Sequence, residues 1–200
     1  IFGWRLLSLA PASVLPATFG GAIVGFLLAM VIIFKPKTSP YLAPAYALAE
    51  GVILGALSGF MQTIYPGIVL PAILLTFGVA GSLLAAYASG LVRATENFKL
   101  GIMAATGGIA IVYLATFVLG FMGIQIPYIH GSGIIGIGFS LIVVVIAALN
   151  LVLDFDFIEK GVENGAPKYM EWYASFGLLV TLVWLYLELL RLLAKLQGRD

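Results

Sequence analysis

Six long apolar runs constrain the fold of this 200-residue chain more than any other feature. The hydrocarbon core of a bilayer is about 30 Å thick, and a helix of about 20 apolar residues crosses it. Six segments reach that length, at about residues 13–34, 41–63, 66–90, 98–122, 131–157 and 170–195. They lack the alternation of apolar and polar residues that is typical of a membrane β-barrel. The sequence therefore predicts an all-α integral membrane protein, with six transmembrane helices in a single domain spanning residues 1–200.

Composition excludes several classes of protein. Apolar residues make up 62% of the chain and charged residues 10%, against about 45–50% and 25% in soluble domains. The net charge of +1 and the scattered basic residues argue against nucleic-acid binding. The lone His130 lies in a glycine-rich loop, where we expect a solvated side chain, and there is no cysteine for a thiolate site. Metalloprotease, nucleophile-elbow and phosphate-loop motifs are absent, so we expect neither catalysis nor a cofactor.

Charges in the connecting loops predict an orientation. Six basic residues follow the first, third and fifth segments, namely Lys35, Lys37, Arg93, Lys99, Lys160 and Lys168, and none follows the second or fourth. Cytoplasmic loops carry an excess of Lys and Arg, which places the first group in the cytoplasm. The C-terminal end then conflicts with the rule, because it carries Arg191, Lys195 and Arg199. Either the last segment is re-entrant or the terminus tolerates charge outside.

Small residues recur at the spacing of helix-packing motifs. Gly21 and Gly25 lie on one predicted helix, and Gly51, Gly55 and Gly59 lie on the next. Glycines four residues apart let two helices approach closely in a membrane. We expect packing within the chain at these positions, with a dimer interface as the alternative.

Acids within apolar helices are functional candidates, because a buried ionisable group needs a partner or water. Glu50 lies mid-helix, either as a neutral acid bonded to a neighbouring helix or as part of a polar pathway. Asp154 shares a helix face with Asn150, four residues earlier, which favours a functional role for Asp154. Asp156 points to another face, and we expect it to form an ion pair with Lys160.

Glu188 is the third acid, and it has two interpretations. It either belongs to a functional site or forms one polar stripe with Arg191 and Lys195 that extends to the membrane edge.

Four stretches resemble the bacterial members of the Bax inhibitor family, the transmembrane Bax-inhibitor-motif proteins. They are AEGVILG at 49–55, AALNLVLDFDFIE at 147–159, MEWYA at 170–174 and WLYLELLRLL at 184–193. The resemblance implies a seven-helix bundle, of which this chain would lack the first helix. The opening residues from Ile1, which look like the end of an earlier segment, fit that expectation.

The family resemblance also implies a function. Its members are described as calcium-leak channels of the membrane, gated by pH through two acids on the sixth and seventh helices. Asp154 and Glu188 occupy the matching positions, and Lys35 or Lys37 would be the basic latch at the end of the second family helix. The partners implied are calcium ions, protons and the lipid bilayer, here the bacterial cytoplasmic membrane. Calcium would be the permeant ion and not a resident cofactor.

Helix geometry complicates the pairing of the two acids. At 1.5 Å per residue, Asp154 lies about 10 Å from the intervening loop and Glu188 about 27 Å from a helix start near Met170. They meet only if residues 170–175 lie along the interface or the last helix is kinked, for example at Gly177.

If the two acids do meet, they would share a proton and titrate as a coupled unit. Deprotonated, Asp154 and Glu188 with Asn150 and water would offer oxygens for weak, transient calcium binding. Two other functions remain open: a non-conducting structural or stress-regulatory membrane protein whose acids staple helices, and a proton-coupled transporter for a small solute. The oligomeric state is not predicted.

Overall fold

The structure is a computed structural model that describes residues 11–123, 131 and 133–198. These residues form six α-helices: α1 Pro11–Phe34, α2 Ser39–Ile64, α3 Val69–Ala88, α4 Glu96–Phe121, α5 Ile134–Glu163 and α6 Tyr169–Gln197. Helices α2 to α6 are long and apolar enough to cross a membrane, whereas the apolar stretch Gly20–Phe34 of α1 is shorter. The prediction of an all-α membrane protein is confirmed. His130 and Arg199 lie outside the described residues.

The main departure from the predicted helix ends is at α5. Its apolar run predicted an end at residue 157, but the helix continues to Glu163. Charged residues end an apolar run without breaking a helix, because Glu and Lys are good helix formers. The helix stops where Gly165 adopts a φ of 60° and the amide of Ala166 donates to the carbonyl of Gly161. A left-handed glycine closes a helix in this way at little steric cost.

The last helix, α6, is continuous from Tyr169 to Gln197. A re-entrant segment needs a break at which the chain turns back, and α6 has none. The re-entrant alternative is therefore wrong, and the basic residues Arg191 and Lys195 lie on a helix long enough to span.

The chain divides into two compact units. The first unit contains the residues as far as Val69 together with Phe157–Val180. Its core forms around Ile32 of α1, Ala43 and Tyr46 of α2, and Phe176 of α6. The rings of Tyr46 and Phe176 meet edge to face, with centroids 4.9 Å apart, which is a favoured geometry for aromatic pairs.

Helices α1 and α2 approach closely within the first unit. A Cβ atom added at Gly21 would lie 3.1 Å from Cγ1 of Ile53, and one at Gly25 would lie 3.3 Å from Oε1 of Glu50. The packing role predicted for these two glycines is thus confirmed. It is wrong for Gly51, where an added Cβ atom would meet no described atom of another helix within 4 Å.

The second unit contains Leu70–Asp156 and the residues from Thr181 onward. It therefore holds α3, α4, most of α5 and the C-terminal half of α6. Aromatic contacts join its helices: Tyr87 of α3 lies 5.9 Å from Phe155 of α5, and Tyr113 of α4 lies 6.3 Å from Phe139 of α5, between centroids. Fully buried Leu151 and Leu185 fill its interior.

Candidate functional site

Polar groups of α4, α5 and α6, one of them the backbone carbonyl of Gly136, are bonded between helices in the second unit, and we call this set the polar seam. Its members are Lys99, Thr106 and Tyr113 of α4; Gly136, Ser140, Asn150, Asp154 and Asp156 of α5; and Thr181, Glu188, Arg191 and Lys195 of α6. On α5 the seam runs from position 136 to 156, which at 1.5 Å per residue is about 30 Å. That length equals the thickness of the hydrocarbon core, about 30 Å.

The seam begins with an ion pair between α4 and α5. Nζ of Lys99 lies 2.8 Å from Oδ2 of Asp156 and 3.2 Å from Oε1 of Glu96. The side chains of Lys99 and Asp156 are 16% and 15% exposed, so the pair is largely sheltered. The sequence predicted Lys160, one turn along the same helix, as the partner of Asp156, and that pair stays a prediction. The pair with Lys99 joins two helices.

Asn150 is the next member, and it is tied to α4. Its Nδ2 donates to Oγ1 of Thr106 and to the carbonyl oxygen of Ile146, both at 2.8 Å. The two bonds use both amide hydrogens, because a primary amide has two. The side-chain oxygen Oδ1 therefore remains as the acceptor of Asn150.

Asp154 lies one turn after Asn150 on the same face of α5. Its carboxyl group is hydrogen-bonded to the side chain of Thr181 on α6. The other oxygen, Oδ2, is buried and has no hydrogen-bond partner among the described residues. An unsatisfied buried oxygen is costly, and in native structures such atoms mark functional sites or positions for water and ions.

Glu188 occupies a different environment, although it is the most buried acid of the seam, at 1% exposure. Nη1 of Arg191 donates to Oε1 and Oε2 of Glu188 at 2.8 and 3.0 Å. The hydroxyl of Tyr113 on α4 donates to the same Oε1 at 2.9 Å and accepts from Arg191 at 2.7 Å. The guanidinium carbon of Arg191 also lies 5.2 Å from the centre of the Tyr113 ring, within cation–π range. Glu188 is therefore compensated in charge and in hydrogen bonding.

Lys195 ends the seam. Its Nζ donates to the carbonyl oxygen of Gly136 at 2.9 Å and to Oγ of Ser140 at 2.8 Å, and the residue is only 7% exposed. A polar stripe of Glu188, Arg191 and Lys195 that reaches toward the membrane edge was one interpretation of the sequence. It is wrong for Glu188 and Lys195, because both side chains are enclosed by protein.

The hydrogen bonds of Asp154 and Glu188 do not join these two acids to each other. Asp154 faces Thr181, and Glu188 lies seven positions beyond Thr181 on α6, or about 10 Å along the helix. Helix α6 is continuous from Tyr169 to Gln197, and the position of residues 170–175 along the membrane interface stays a prediction. Each acid instead has its own partners.

Glu50 lies in the first unit and is not part of the seam. It is half-buried on α2, where the hydroxyl of Tyr46, one turn earlier, is hydrogen-bonded to its carboxyl group. Its Oε1 covers the bare backbone of Gly25 on α1. The predicted latch residues Lys35 and Lys37 are also in the first unit, exposed in the turn between α1 and α2.

Metal-site geometry is not evident in the described part of the chain, where no three His, Cys, Asp or Glu side chains gather. Sequence reasoning missed Thr106, Tyr113 and Ser140 entirely. One signal was present in the sequence. Lys99, Thr106 and Tyr113 follow one another at intervals of seven residues, and residues at that spacing share a helix face.

Comparison with known protein families matches residues 1–198 to the family described as Bax inhibitor 1 like. The chain belongs to the Bax inhibitor 1 like family. This confirms the resemblance carried by the stretches around Glu50, Asp154 and Glu188. No curated protein and no solved structure matches the chain. As a Bax inhibitor 1 like protein, it is an integral membrane protein of that type, and its two matched acids lie in the polar seam with separate partners.

Proposed function

We propose that this protein is a pH-sensitive calcium-leak channel of the bacterial cytoplasmic membrane, and that the polar seam is its pathway. The observation that carries the proposal is the buried Oδ2 of Asp154, which has no hydrogen-bond partner among the described residues. A carboxyl oxygen in that position attracts whatever cation or proton enters the seam. The partners of the protein are then calcium ions and protons, and the proposal includes no catalytic step.

Asp154 is the acid on which pH acts in this proposal. The three cations of the seam have other partners: Lys99 pairs with Asp156, Arg191 pairs with Glu188, and Lys195 donates to Gly136 and Ser140. The side chain that is hydrogen-bonded to the Asp154 carboxyl is the neutral Thr181. The charge of this site therefore changes when Asp154 itself gains or loses a proton.

The response to pH follows from the two forms of Asp154. In its protonated form the acid is neutral and offers no charge to a cation. In its deprotonated form Asp154 presents a negative charge within the packed helices. A cation binds there weakly and transiently, so it passes on and is not retained. Calcium flux is then expected to rise as pH rises through the titration of Asp154.

The test is calcium flux into proteoliposomes across a pH series, for the unaltered protein, Asp154→Asn and Asp156→Asn. Asp156→Asn is the matched control, because it removes an acid two residues away that is paired with Lys99. We expect Asp154→Asn to abolish the pH dependence and Asp156→Asn to retain it. A pH dependence that survives in Asp154→Asn would refute the assignment.

A second candidate is a non-conducting membrane protein whose polar groups staple helices together. The observation that favours it is that four polar contacts of the seam join different helices: Thr106 to Asn150, Thr181 to Asp154, Tyr113 to Glu188, and Lys195 to Ser140. Absence of ion flux at every pH, together with a large loss of thermal stability in Asp154→Asn, would favour this candidate over the channel.

A further inference from the structure

Asn150 and Asp154 present two acceptor oxygens on one face of α5. Both amide hydrogens of Asn150 are used by Thr106 and Ile146, which leaves Oδ1 as the acceptor of this side chain. Oδ2 of Asp154, one turn away, is buried and lacks a donor. The hydroxyl oxygen of Thr181 is hydrogen-bonded to the same carboxyl. These oxygens come from α5 and α6, and the bond to Thr106 of α4 fixes one of them.

The charge of this oxygen cluster is limited to a single carboxylate. Glu188, the second acid expected in the site, is neutralised by Arg191 and lies about two helical turns from Thr181. Calcium prefers six to eight oxygens, and its affinity rises with the number of charged ligands. One carboxylate among neutral amide and hydroxyl oxygens attracts a divalent cation only weakly.

We propose that Oδ1 of Asn150 and Oδ2 of Asp154 together bind the cation in the pathway. Thr106 is a positioning residue, which sets the orientation of the Asn150 amide. The site admits monovalent cations alongside calcium. The inference rests on the proposed conduction and adds a selectivity and two residues to it. Thr106 acts through Asn150 and need not touch the ion, because its hydroxyl holds Nδ2 and thereby turns Oδ1 to the cation.

The experiment measures calcium and potassium permeability of the full chain in proteoliposomes at the alkaline end of the pH series. For the unaltered protein we expect a calcium-to-potassium permeability ratio within about tenfold of one. Asn150→Asp adds a second carboxylate one turn from the first. Because a charge attracts a divalent ion twice as strongly as a monovalent one, we expect that ratio to rise at least about tenfold.

Thr106 supplies the matched pair of variants. Thr106→Val keeps the shape and removes the hydroxyl, so the amide of Asn150 loses its anchor, and we expect the half-saturating cation concentration to increase several-fold. Thr106→Ser keeps the hydroxyl, and we expect it to retain the original value. A role of Thr106 in packing alone predicts lower thermal stability in Thr106→Val with an unchanged half-saturating concentration.

Three results would overturn the inference. They are an unchanged permeability ratio in a conducting Asn150→Asp protein, a Thr106→Val protein that saturates like Thr106→Ser, or an unaltered protein that strongly excludes potassium. Absence of flux for either ion at every pH would refute the proposed conduction itself, and the cation site with it. Flux with unmoved selectivity would refute the cation site alone.

Discussion

Arg191 binds both carboxylate oxygens of Glu188 from three positions further along the same helix, at 2.8 and 3.0 Å. The carboxylate is almost completely enclosed, whereas the arginine side chain is 41% exposed. The buried acid is thus paired with a cation of its own helix. The hydroxyl of Tyr113 on α4 is hydrogen-bonded to both Glu188 and Arg191. This relationship separates the two seam acids that match the family's positions into one that is neutralised, Glu188, and one that is not, Asp154.

Removal of the counter-charge should destabilise the protein. Arg191→Met leaves the Glu188 carboxylate buried with one hydrogen bond, from Tyr113. Breaking a buried ion pair by removal of one partner costs about 3 kcal/mol or more. Thermal unfolding in detergent is the measurement, with Arg93→Met as control, because Arg93 is exposed. Equal midpoints for the two variants would show that Arg191 does not stabilise Glu188.

Tyr113→Phe should have a smaller effect. The substitution removes the hydroxyl that donates to Glu188 and accepts from Arg191, but it keeps the ring beside Phe139. We expect a loss of about 1 kcal/mol in the free energy of unfolding, since hydrogen bonds within membrane proteins are individually modest. Tyr41→Phe is the control, because Tyr41 is 82% exposed. A loss as large as that of Arg191→Met would contradict this ranking.

Replacement by leucine should lower the stability of the protein at Gly21 and raise it at Gly51. Gly21→Leu places a side chain where Cγ1 of Ile53 already lies 3.1 Å from the first added carbon. Overpacking of this kind costs about 1–3 kcal/mol. Gly51→Leu enters open space and gains helix propensity of about 0.5–1 kcal/mol. Thermal midpoints in detergent compare the two, and a Gly51→Leu protein that is the less stable one would refute the assigned α1–α2 contact.

Lys195→Met should leave stability unchanged or raise it slightly. The ammonium is buried, its hydrogen-bond acceptors on Gly136 and Ser140 are uncharged, and both belong to a helix that continues to satisfy them. Replacing a buried charge with an apolar side chain of similar size is often neutral or stabilising. Lys195→Glu, in contrast, adds an acid without donors and should lower the thermal midpoint strongly. A large loss of stability in Lys195→Met would mean that the ammonium anchors α6 to α5.

The helices could be predicted from sequence because membrane thickness fixes their length. The C-terminal end of α5 could not be predicted, because the length rule for membrane helices counts apolar residues only. The helix continues through Glu159 and Lys160 to Glu163, shortly before the left-handed Gly165. The acids of the seam were also predictable, because an ionisable residue in an apolar run is visible without a structure. Glu188 and Asp154 both emerged in this way.

The partners of those acids on other helices were not predictable from one sequence. Spacing along α6 already offered Arg191, three positions further on, as a neighbour of Glu188. Whether Glu188 also reaches Asp154 of α5 or Tyr113 of α4 depends on the rotation and the axial position of α6, which sequence spacing alone does not give. Thr106 and Tyr113 carry no charge, and the one signal that marked them was their seven-residue spacing from Lys99 along one face of α4. The pairing of Asp156 with Lys99 depends on how α4 packs against α5, whereas spacing along one helix favoured Lys160.

The bare oxygen of Asp154 has a consequence for the evolution of the molecule. A leucine in that place would relieve the burial of an unsatisfied carboxyl and pack against the same helices, so selection for heat resistance alone would favour its replacement. We expect variants recovered from such a selection to lose Asp154 and to retain Glu188, because Arg191 compensates the charge of Glu188. Retention of Asp154 under such a selection would show that its carboxyl is needed for more than stability.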